Sequence, residues 1–173
     1  AVVKYEGEVQ IITTASRPEA GNRKTPGKVI SYDLENGNII WECSGLTDNA
    51  IPCPIVENGV AYCMTGYLGF SLVAVPISGK GEQSQNILWR RELGTPYIPS
   101  PILYDGFLYF TQSNQAILSC VDAKPGKVLM ERTRLPGLSN VYASRGGAGN
   151  HICVVGRDGK TGVLKRAGEG DWV

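Results

Sequence analysis

The sequence predicts an all-β fold built from short antiparallel strands. Twenty-two glycines and ten prolines interrupt stretches rich in Val, Ile, Leu and Tyr, which is typical of strands joined by tight turns. Apolar residues make up 42% of the 173 residues and charged residues 19%, so the chain can bury a substantial core. The third observation is an internal repeat, and it narrows the prediction further.

The repeat consists of two hairpin segments. Residues 54–63 (PIVENGVAYC) recur as residues 101–110 (PILYDGFLYF), and Gly59 and Gly106 are 47 residues apart. Asn-Gly and Asp-Gly tolerate the positive φ angles of two-residue hairpin turns, and apolar runs flank both dipeptides. Weaker copies surround Gly7 and Gly149. The sequence therefore predicts four strand-turn-strand units.

A second landmark follows the first and third hairpins. The segment from Asp33 to Trp41 is matched by the segment from Asp122 to Met130, with a glycine four residues after each Asp. In the second unit Trp89 supplies the corresponding position, although the Asp and Gly do not occur there. We expect residues 78–85 to form a longer polar loop in their place.

The spacing of these landmarks predicts blades of a β-propeller. Four short antiparallel strands in each period of about 45 residues are typical of a propeller blade. In the second unit the predicted strands are Cys53–Val56, Val60–Thr65, Ser71–Pro76 and Ile87–Arg91. The sequence predicts a single partial propeller domain over residues 1–173, with approximate blades 1–46, 47–94, 95–138 and 139–173. These would be about four blades of a seven- or eight-bladed ring.

The pattern Asp33-x-x-x-Gly37-x-x-x-Trp41 resembles the tryptophan-docking motif of the PQQ-like (quinoprotein-type) propeller repeats. In that family the Trp of one blade packs against the next blade, so the resemblance implies structural docking roles for Trp41, Trp89 and Met130. The chain is similar to the non-enzymatic repeat proteins of the outer-membrane assembly lipoprotein type and to uncharacterised bacterial repeat proteins. That similarity implies a bacterial protein of the periplasm or cell envelope.

The resemblance does not extend to a quinone site. Quinoprotein dehydrogenases hold PQQ and Ca²⁺ with a Glu, an Asn and an Asp and place a Cys-Cys ring over the cofactor. This sequence has no Cys-Cys pair, and no carboxylate cluster matches that site, so we predict no catalytic, cofactor-binding or metal-binding residues. The favoured function is a non-catalytic scaffold for a protein, peptide or other ligand. The alternative is a fragment of a PQQ-dependent dehydrogenase-like enzyme, using PQQ with calcium at a site outside this chain.

Other local motifs favour structural interpretations. Residues 156–161 end like a phosphate-binding loop, but Val154 stands where that motif needs glycine, so we predict a hairpin turn. The glycine-rich residues 145–149 lie where Pro54 and Pro101 lie in other copies, which favours a degenerate strand over a ligand-binding loop. His151 has no partner at ligand spacing, and we expect a solvent-exposed turn histidine.

The five cysteines contain no C-x-x-C pair. Buried thiols on strands are the favoured interpretation. Disulfides between Cys43 and Cys53, or between Cys53 and Cys63, are the alternatives.

Charge and hydropathy exclude several partners. The net charge of +1 provides no basic footprint for nucleic acid. No apolar run reaches the roughly 20 residues of a membrane span, and Arg17, Arg23 and Lys24 are too sparse for a membrane surface.

The chain starts at Ala1 without Met, so we expect a processed product or an internal piece. Because a half ring would expose unpaired edges, we predict either a truncated chain or a homodimer that completes the propeller.

Overall fold

The strands of the protein follow the order expected for consecutive blades. A computed structural model describes residues 1–16, 26–167 and 171–172, with the backbone alone for 166–167 and 171–172. Arg17, Arg23 and Lys24 lie outside the described residues. The strands are β1 (Val2–Tyr5), β2 (Glu8–Ala15), β3 (Gly27–Asp33), β4 (Ile39–Leu46), β5 (Ile55–Glu57), β6 (Val60–Thr65), β7 (Ser71–Pro76), β8 (Gly81–Glu82), β9 (Trp89–Arg91), β10 (Ile102–Tyr104), β11 (Phe107–Thr111), β12 (Ile117–Asp122), β13 (Val128–Arg134), β14 (Gly146–Ala148), β15 (His151–Val155), β16 (Thr161–Ala167) and β17 (Asp171–Trp172). A short 3₁₀ turn spans Ser84–Asn86.

These strands form four sheets, each built mainly from one stretch of sequence. The sheet orders are β1-β2-β3-β4-β8, β5-β6-β7-β9, β10-β11-β12-β13 and β14-β15-β16-β17. Successive strands within each unit pair antiparallel. The structure confirms an all-β fold with four blade-like sheets. The number of blades in a complete ring and the blade boundaries stay predictions.

In the part of the chain that the structure describes, three apolar cores lie between the four sheets. The first joins Ile12, Val29 and Trp41 of the first sheet to Cys63 and Val73 of the second. The next core packs residues of the second and third sheets, and the last packs residues of the third and fourth. The sheets therefore stack face to face in chain order, as the blades of a propeller do.

Strands of the second sheet contribute to both of its neighbours. Along β6, Cys63 enters the first core, whereas Tyr62 and Met64 enter the second. In β7, Val73 enters the first core and Leu72 enters the second. Because successive side chains in a strand point to opposite faces, a sheet buried on both faces needs continuous apolar runs, and this explains the absence of polar alternation in residues 70–75.

The hairpin turns adopt the backbone conformation that their dipeptides predict. Asn58 and Gly59 have φ angles of 49° and 76°, and Asp105 and Gly106 have 53° and 79°. Positive φ at both central positions is the requirement of the turn type that matches strand twist. The four turns at residues 6–7, 58–59, 105–106 and 149–150 lie at one end of the sheets, which we call the turn face.

The predicted polar loop at residues 78–85 is partly wrong, because residues 81–82 form a strand. β8 pairs in parallel with β4 and adds a fifth strand to the first sheet. The Gln83 amide donates to the Glu42 carbonyl at 2.7 Å, and the Ser44 amide donates to Ser84 Oγ at 2.7 Å. The loop therefore covers the outer edge of the first sheet, where an unpaired strand would invite aggregation.

The local motifs near the C-terminus behave largely as expected. Residues 146–148 form β14, which agrees with a degenerate strand, and residues 156–160 connect the antiparallel strands β15 and β16 as a hairpin. His151 is exposed, as predicted, but it begins β15 and is not a turn residue. The His151 backbone pairs with Lys165 in β16, which explains its placement in a strand.

Candidate interaction surfaces

Trp41 lies fully buried in the first inter-sheet core. Its indole Nε1 donates to Gln10 Oε1 at 3.2 Å, and the Ser31 hydroxyl donates to the same oxygen at 2.9 Å. Gln10 Nε2 in turn donates to the Ile77 carbonyl of the second sheet at 3.3 Å. A buried amide thus connects the Trp41 indole to the next sheet, and its polar atoms are hydrogen-bonded as burial requires.

Trp89 hydrogen-bonds directly to the next sheet, with no side chain between them. Its Nε1 donates to the Ala123 carbonyl of the third sheet at 3.1 Å. The ring covers Gly126 so closely that a Cβ built there would lie 2.6 Å from Trp89 Cδ2. Trp89 also contacts Tyr62, with ring centroids 6.0 Å apart. Unlike Trp41, it is only half-buried.

Met130 occupies the same register position in the third sheet. It pairs with Cys120, as Trp41 pairs with Ser31 and Trp89 with Ala74. Met130 belongs to the core that contains Ile152 and Val154 of the fourth sheet. Its thioether fills apolar space without offering the hydrogen-bond donor of an indole. That Trp41, Trp89 and Met130 dock the blades stays a prediction.

Arg145 is a buried cation that sequence reasoning missed. Its Nη1 donates to the Ser100 carbonyl at 2.8 Å, and Nη2 donates to Thr111 Oγ1. Burial lowers the pKa of Arg145 to about 9. The repeat offered one signal, since Arg145 occupies the position of Pro54 and Pro101 and is the only charged residue of the three. Its hydrogen bonds connect the third sheet to the start of the fourth.

The end of the sheets opposite the turn face consists of loops that contact one another, and we call it the loop face. Among the described residues, it comprises 47–54, 66–70, 92–101, 112–116, 135–145 and 156–160. The Thr47 amide donates to Thr65 Oγ1 at 2.9 Å, and the Tyr97 amide donates to the Ser113 carbonyl at 3.2 Å. The Val141 amide donates to the Asn114 carbonyl at 2.9 Å. These bonds make the loop face a continuous surface across neighbouring sheets.

Several large apolar side chains of the loop face are exposed. Tyr67 and Tyr97 stack with ring centroids 4.7 Å apart, and Leu68 beside them is 68% exposed. Leu68 has a φ of 52°, a conformation unusual for a residue with a Cβ. Farther along, the Arg157 guanidinium lies 5.5 Å from the Tyr142 ring centroid. Aromatic residues and Arg are enriched at the centres of protein interfaces.

The five cysteines are free thiols. The disulfide alternatives are therefore wrong for this structure, and the favoured interpretation fits Cys43, Cys63 and Cys120, which are buried on strands. Burial raises the pKa of Cys63 far above its usual range, so this thiol is held protonated and unreactive. Cys53 and Cys153 differ, because Cys53 is exposed on the loop face and Cys153, in β15, is only half-buried.

Within residues 1–16, 26–167 and 171–172, no helix is long and apolar enough to cross a membrane. Over the same residues, no group of three or more His, Cys, Asp or Glu side chains is arranged to hold a metal ion.

Comparisons with known proteins agree with an all-β, propeller-like fold. The computationally designed protein Ika4 matches with a TM-score of 0.55 and 10% identity, over 91% of this chain and 92% of its own. The designed protein Ika8 matches with a TM-score of 0.53 and 12% identity, over 89% of this chain but 45% of its own. At such identities the likeness concerns the fold alone.

A third solved structure is also similar. BamB from Moraxella catarrhalis matches at 14% identity over 94% of this chain and 63% of its own, with a TM-score of 0.48. The chain thus spans less than two thirds of the length of BamB and of Ika8. No protein-family model and no curated protein matches the sequence.

Proposed function

We propose that the protein is a non-catalytic propeller scaffold whose loop face binds another protein or a peptide. The observation that carries this proposal is the apolar cluster formed by exposed Tyr67, exposed Leu68 and half-buried Tyr97. Stacked tyrosines lose little side-chain entropy when a partner covers them. Because Leu68 stands in a strained turn, we infer that the loop presents this side chain to a partner.

The rigidity of the loop face supports the same proposal. The backbone hydrogen bonds between its loops are made before any partner arrives, so binding costs little further ordering. Buried Thr95 adds to this framework, since the Ser71 amide donates to its Oγ1 at 3.1 Å and its own hydroxyl donates to the Thr65 carbonyl. A preorganised apolar cluster surrounded by polar loops has the composition of a protein interface.

Leu68→Asp is expected to weaken partner binding strongly without destabilising the fold. A photo-cross-linker placed at Tyr97 should give a discrete adduct in an extract of source cells, and unlabelled protein should compete for it. Placing a charge in the centre of an apolar interface should reduce the adduct about tenfold or more. Quantitative mass spectrometry of the adduct measures the effect.

Leu34→Asp is the matched control, because Leu34 is also an exposed leucine, at 49%, but lies in the β3–β4 turn away from the loop face. Its adduct yield should equal that of the wild type. Equal yields from Leu68→Asp, or an adduct that does not respond to competition, would contradict the proposal. Stoichiometric, micromolar binding of PQQ with Ca²⁺ would favour the enzyme alternative instead.

We further infer that two copies of this chain complete a ring through the outward faces of the first and fourth sheets. In β2, Gln10 and Ile12 are buried towards the second sheet, whereas Val9 and Ile11 alternate onto the outward face. In the fourth sheet, Val155 and Val163 are exposed beside buried Ile152 and Val154. The inner sheets bury both faces, so the apolar side chains on these two outward faces lack the layer that their counterparts have.

Sedimentation equilibrium tests this head-to-tail dimer. The wild type should sediment as a dimer at micromolar concentration, and Val163→Asp should sediment as a monomer, because the charge enters an apolar sheet interface. Val163 is 57% exposed in the single chain, so the monomer should retain its far-ultraviolet circular dichroism. Leu34→Asp should remain dimeric. A wild type that stays monomeric over the whole concentration range would overturn the inference.

A further inference from the structure

The turn face carries a groove at the same repeat position between each pair of neighbouring sheets. The groove between the first and second sheets has a volume of about 120 Å³ and that between the third and fourth about 20 Å³. The groove between the second and third sheets is much larger, at about 630 Å³. Only this central groove has the volume of a small-molecule or side-chain pocket, which is about 300–1,000 Å³.

One substitution within the repeat accounts for the difference in size. The residue that precedes each hairpin turn is Tyr5 in the first sheet, Glu57 in the second and Tyr104 in the third. The Tyr5 ring lies over Gly59, and the Tyr104 hydroxyl donates to the Gly149 carbonyl at 2.8 Å. Each tyrosine thus covers the gap to the next sheet. Glu57 is exposed and carries no ring, so the central gap stays open.

The walls of the central groove combine apolar surface with carboxylates. Its apolar side is formed by Val60, Tyr62, Leu88 and Phe107, and its charged groups are Glu57, Asp122 and Lys124. Two carboxylates against one ammonium leave a net charge of −1 among the lining side chains. Leu88 is 55% exposed, an unusual position for leucine beside charged groups.

The two carboxylates influence the electrostatic potential inside the groove. The pKa of the Tyr62 hydroxyl is raised, first by burial and then by the negative charges of Glu57 and Asp122. Asp122 is oriented by its own turn, since the Lys124 amide donates to its Oδ1 at 3.0 Å. A negative potential over aromatic rings favours a cation, because ring faces and carboxylates attract positive charge together.

We propose that the central groove binds an organic cation with an apolar stem, namely a guanidinium or ammonium head on an aliphatic chain. The head would lie between Glu57 and Asp122, and the stem would lie along Tyr62, Phe107 and Leu88. An arginine or lysine side chain of a partner and a free alkyl cation share this chemistry. The inference deepens the proposed binding role but uses the end of the sheets opposite the loop face, so failure of one test leaves the other result intact.

Nuclear magnetic resonance titration of the whole chain with propylguanidinium tests the site. We expect saturable shifts of the Tyr62 and Phe107 ring signals that weaken as salt rises. Glu57→Gln should weaken binding about tenfold, the loss of one close charge partner. Glu57→Tyr should abolish binding while preserving the thermal midpoint, because the other sheets already carry tyrosine at this position. Binding to the loop-face partner should be unchanged in both variants.

Neutral and charge-matched controls make the test decisive. Propylurea has nearly the same shape without the charge and should not saturate the site. Glu35→Gln removes one charge from an exposed turn of the first sheet and should leave binding unchanged. Equal binding of propylurea, an unaffected Glu57→Gln, or no ring shifts at tens of millimolar ligand would each overturn the proposal.

A second titration distinguishes the two sources of the cation. N-acetylarginine amide and a short glycine-arginine-glycine peptide are compared with propylguanidinium on the same protein. Tighter binding of the peptide supports a partner side chain as the occupant, whereas tighter binding of the free alkyl cation supports a small molecule. If none of the three binds, the groove is not a cation site.

Discussion

Gly126→Ala is expected to lower the free energy of unfolding by about 2–4 kcal/mol, which combines left-handed strain with overpacking. Gly126 has a φ of 72°, and its missing side chain makes room for Trp89. A Cβ there would lie 2.6, 2.8 and 2.9 Å from Trp89 Cδ2, Cε3 and Cγ. The indole would have to move, and with it the hydrogen bond to the Ala123 carbonyl. Urea denaturation followed by circular dichroism measures the change.

Gly37→Ala separates the two contributions. Gly37 occupies the same place in the first Asp-x-x-x-Gly turn, with a φ of 74°, but no heavy atom lies within 4 Å of a Cβ built on it. This variant should lose only the roughly 1 kcal/mol of backbone strain. In a Trp89→Ala background, which itself should cost about 2–3 kcal/mol, the excess penalty of Gly126→Ala should vanish. Equal costs for the two glycine variants would refute docking by Trp89.

The strands of the second sheet show how far local sequence determines the fold. Val60–Thr65 and Ser71–Pro76 have the predicted bounds, because apolar runs and turn dipeptides are local signals. The predicted strand Cys53–Val56 is Ile55–Glu57 instead. Cys53 lies in the preceding loop, where its amide donates to Ser100 Oγ of the loop before the third sheet at 3.0 Å. Pairing between distant segments is invisible to a local pattern.

Features that depend on contacts between sheets were the hardest to predict. Residues 81–82 pair with β4 across about 40 residues of sequence, and their polar composition favours a loop. Gln10 is polar within a strand, and its burial follows from the positions of Trp41 and Ile77. Only the assembled sheets show why a glutamine fits there.

Some features of the candidate surfaces could be predicted from the repeat, and others depend on contacts between distant segments. The register positions of Trp41, Trp89 and Met130 follow from the repeat, because equal spacing places equal residues at equal points of a sheet. The Tyr67–Tyr97 stack could not be predicted, since its rings come from two separate loops. The groove at Glu57 was predictable only in part. Its repeat position was visible in the sequence, but its volume depends on the tyrosines that close the neighbouring gaps.

Trp41→Ala is expected to destabilise the fold more than Trp89→Ala or Gly126→Ala does, with a loss of about 3–5 kcal/mol. Trp41 is 0% exposed, so its removal leaves a cavity at the centre of the first inter-sheet core. Gln10 Oε1 would also lose the hydrogen bond that the indole donates. With less to hold it in place, the Gln10 side chain would bind the Ile77 carbonyl less firmly, and the contact between the first two sheets would weaken. Guanidinium denaturation followed by circular dichroism provides the free energy.

Trp41→Phe tests whether packing or the hydrogen bond dominates. The phenyl ring fills most of the cavity, and Gln10 Oε1 still accepts from the Ser31 hydroxyl at 2.9 Å, so the cost should fall to about 1–2 kcal/mol, that of a lost hydrogen bond and a small void. Trp41→Ala should cost more than Trp89→Ala, because Trp41 is fully buried and Trp89 is half-buried. Trp41→Phe should cost least, because the phenyl ring fills most of the cavity. A larger loss for Trp89→Ala than for Trp41→Ala would show that ring burial does not control inter-sheet stability.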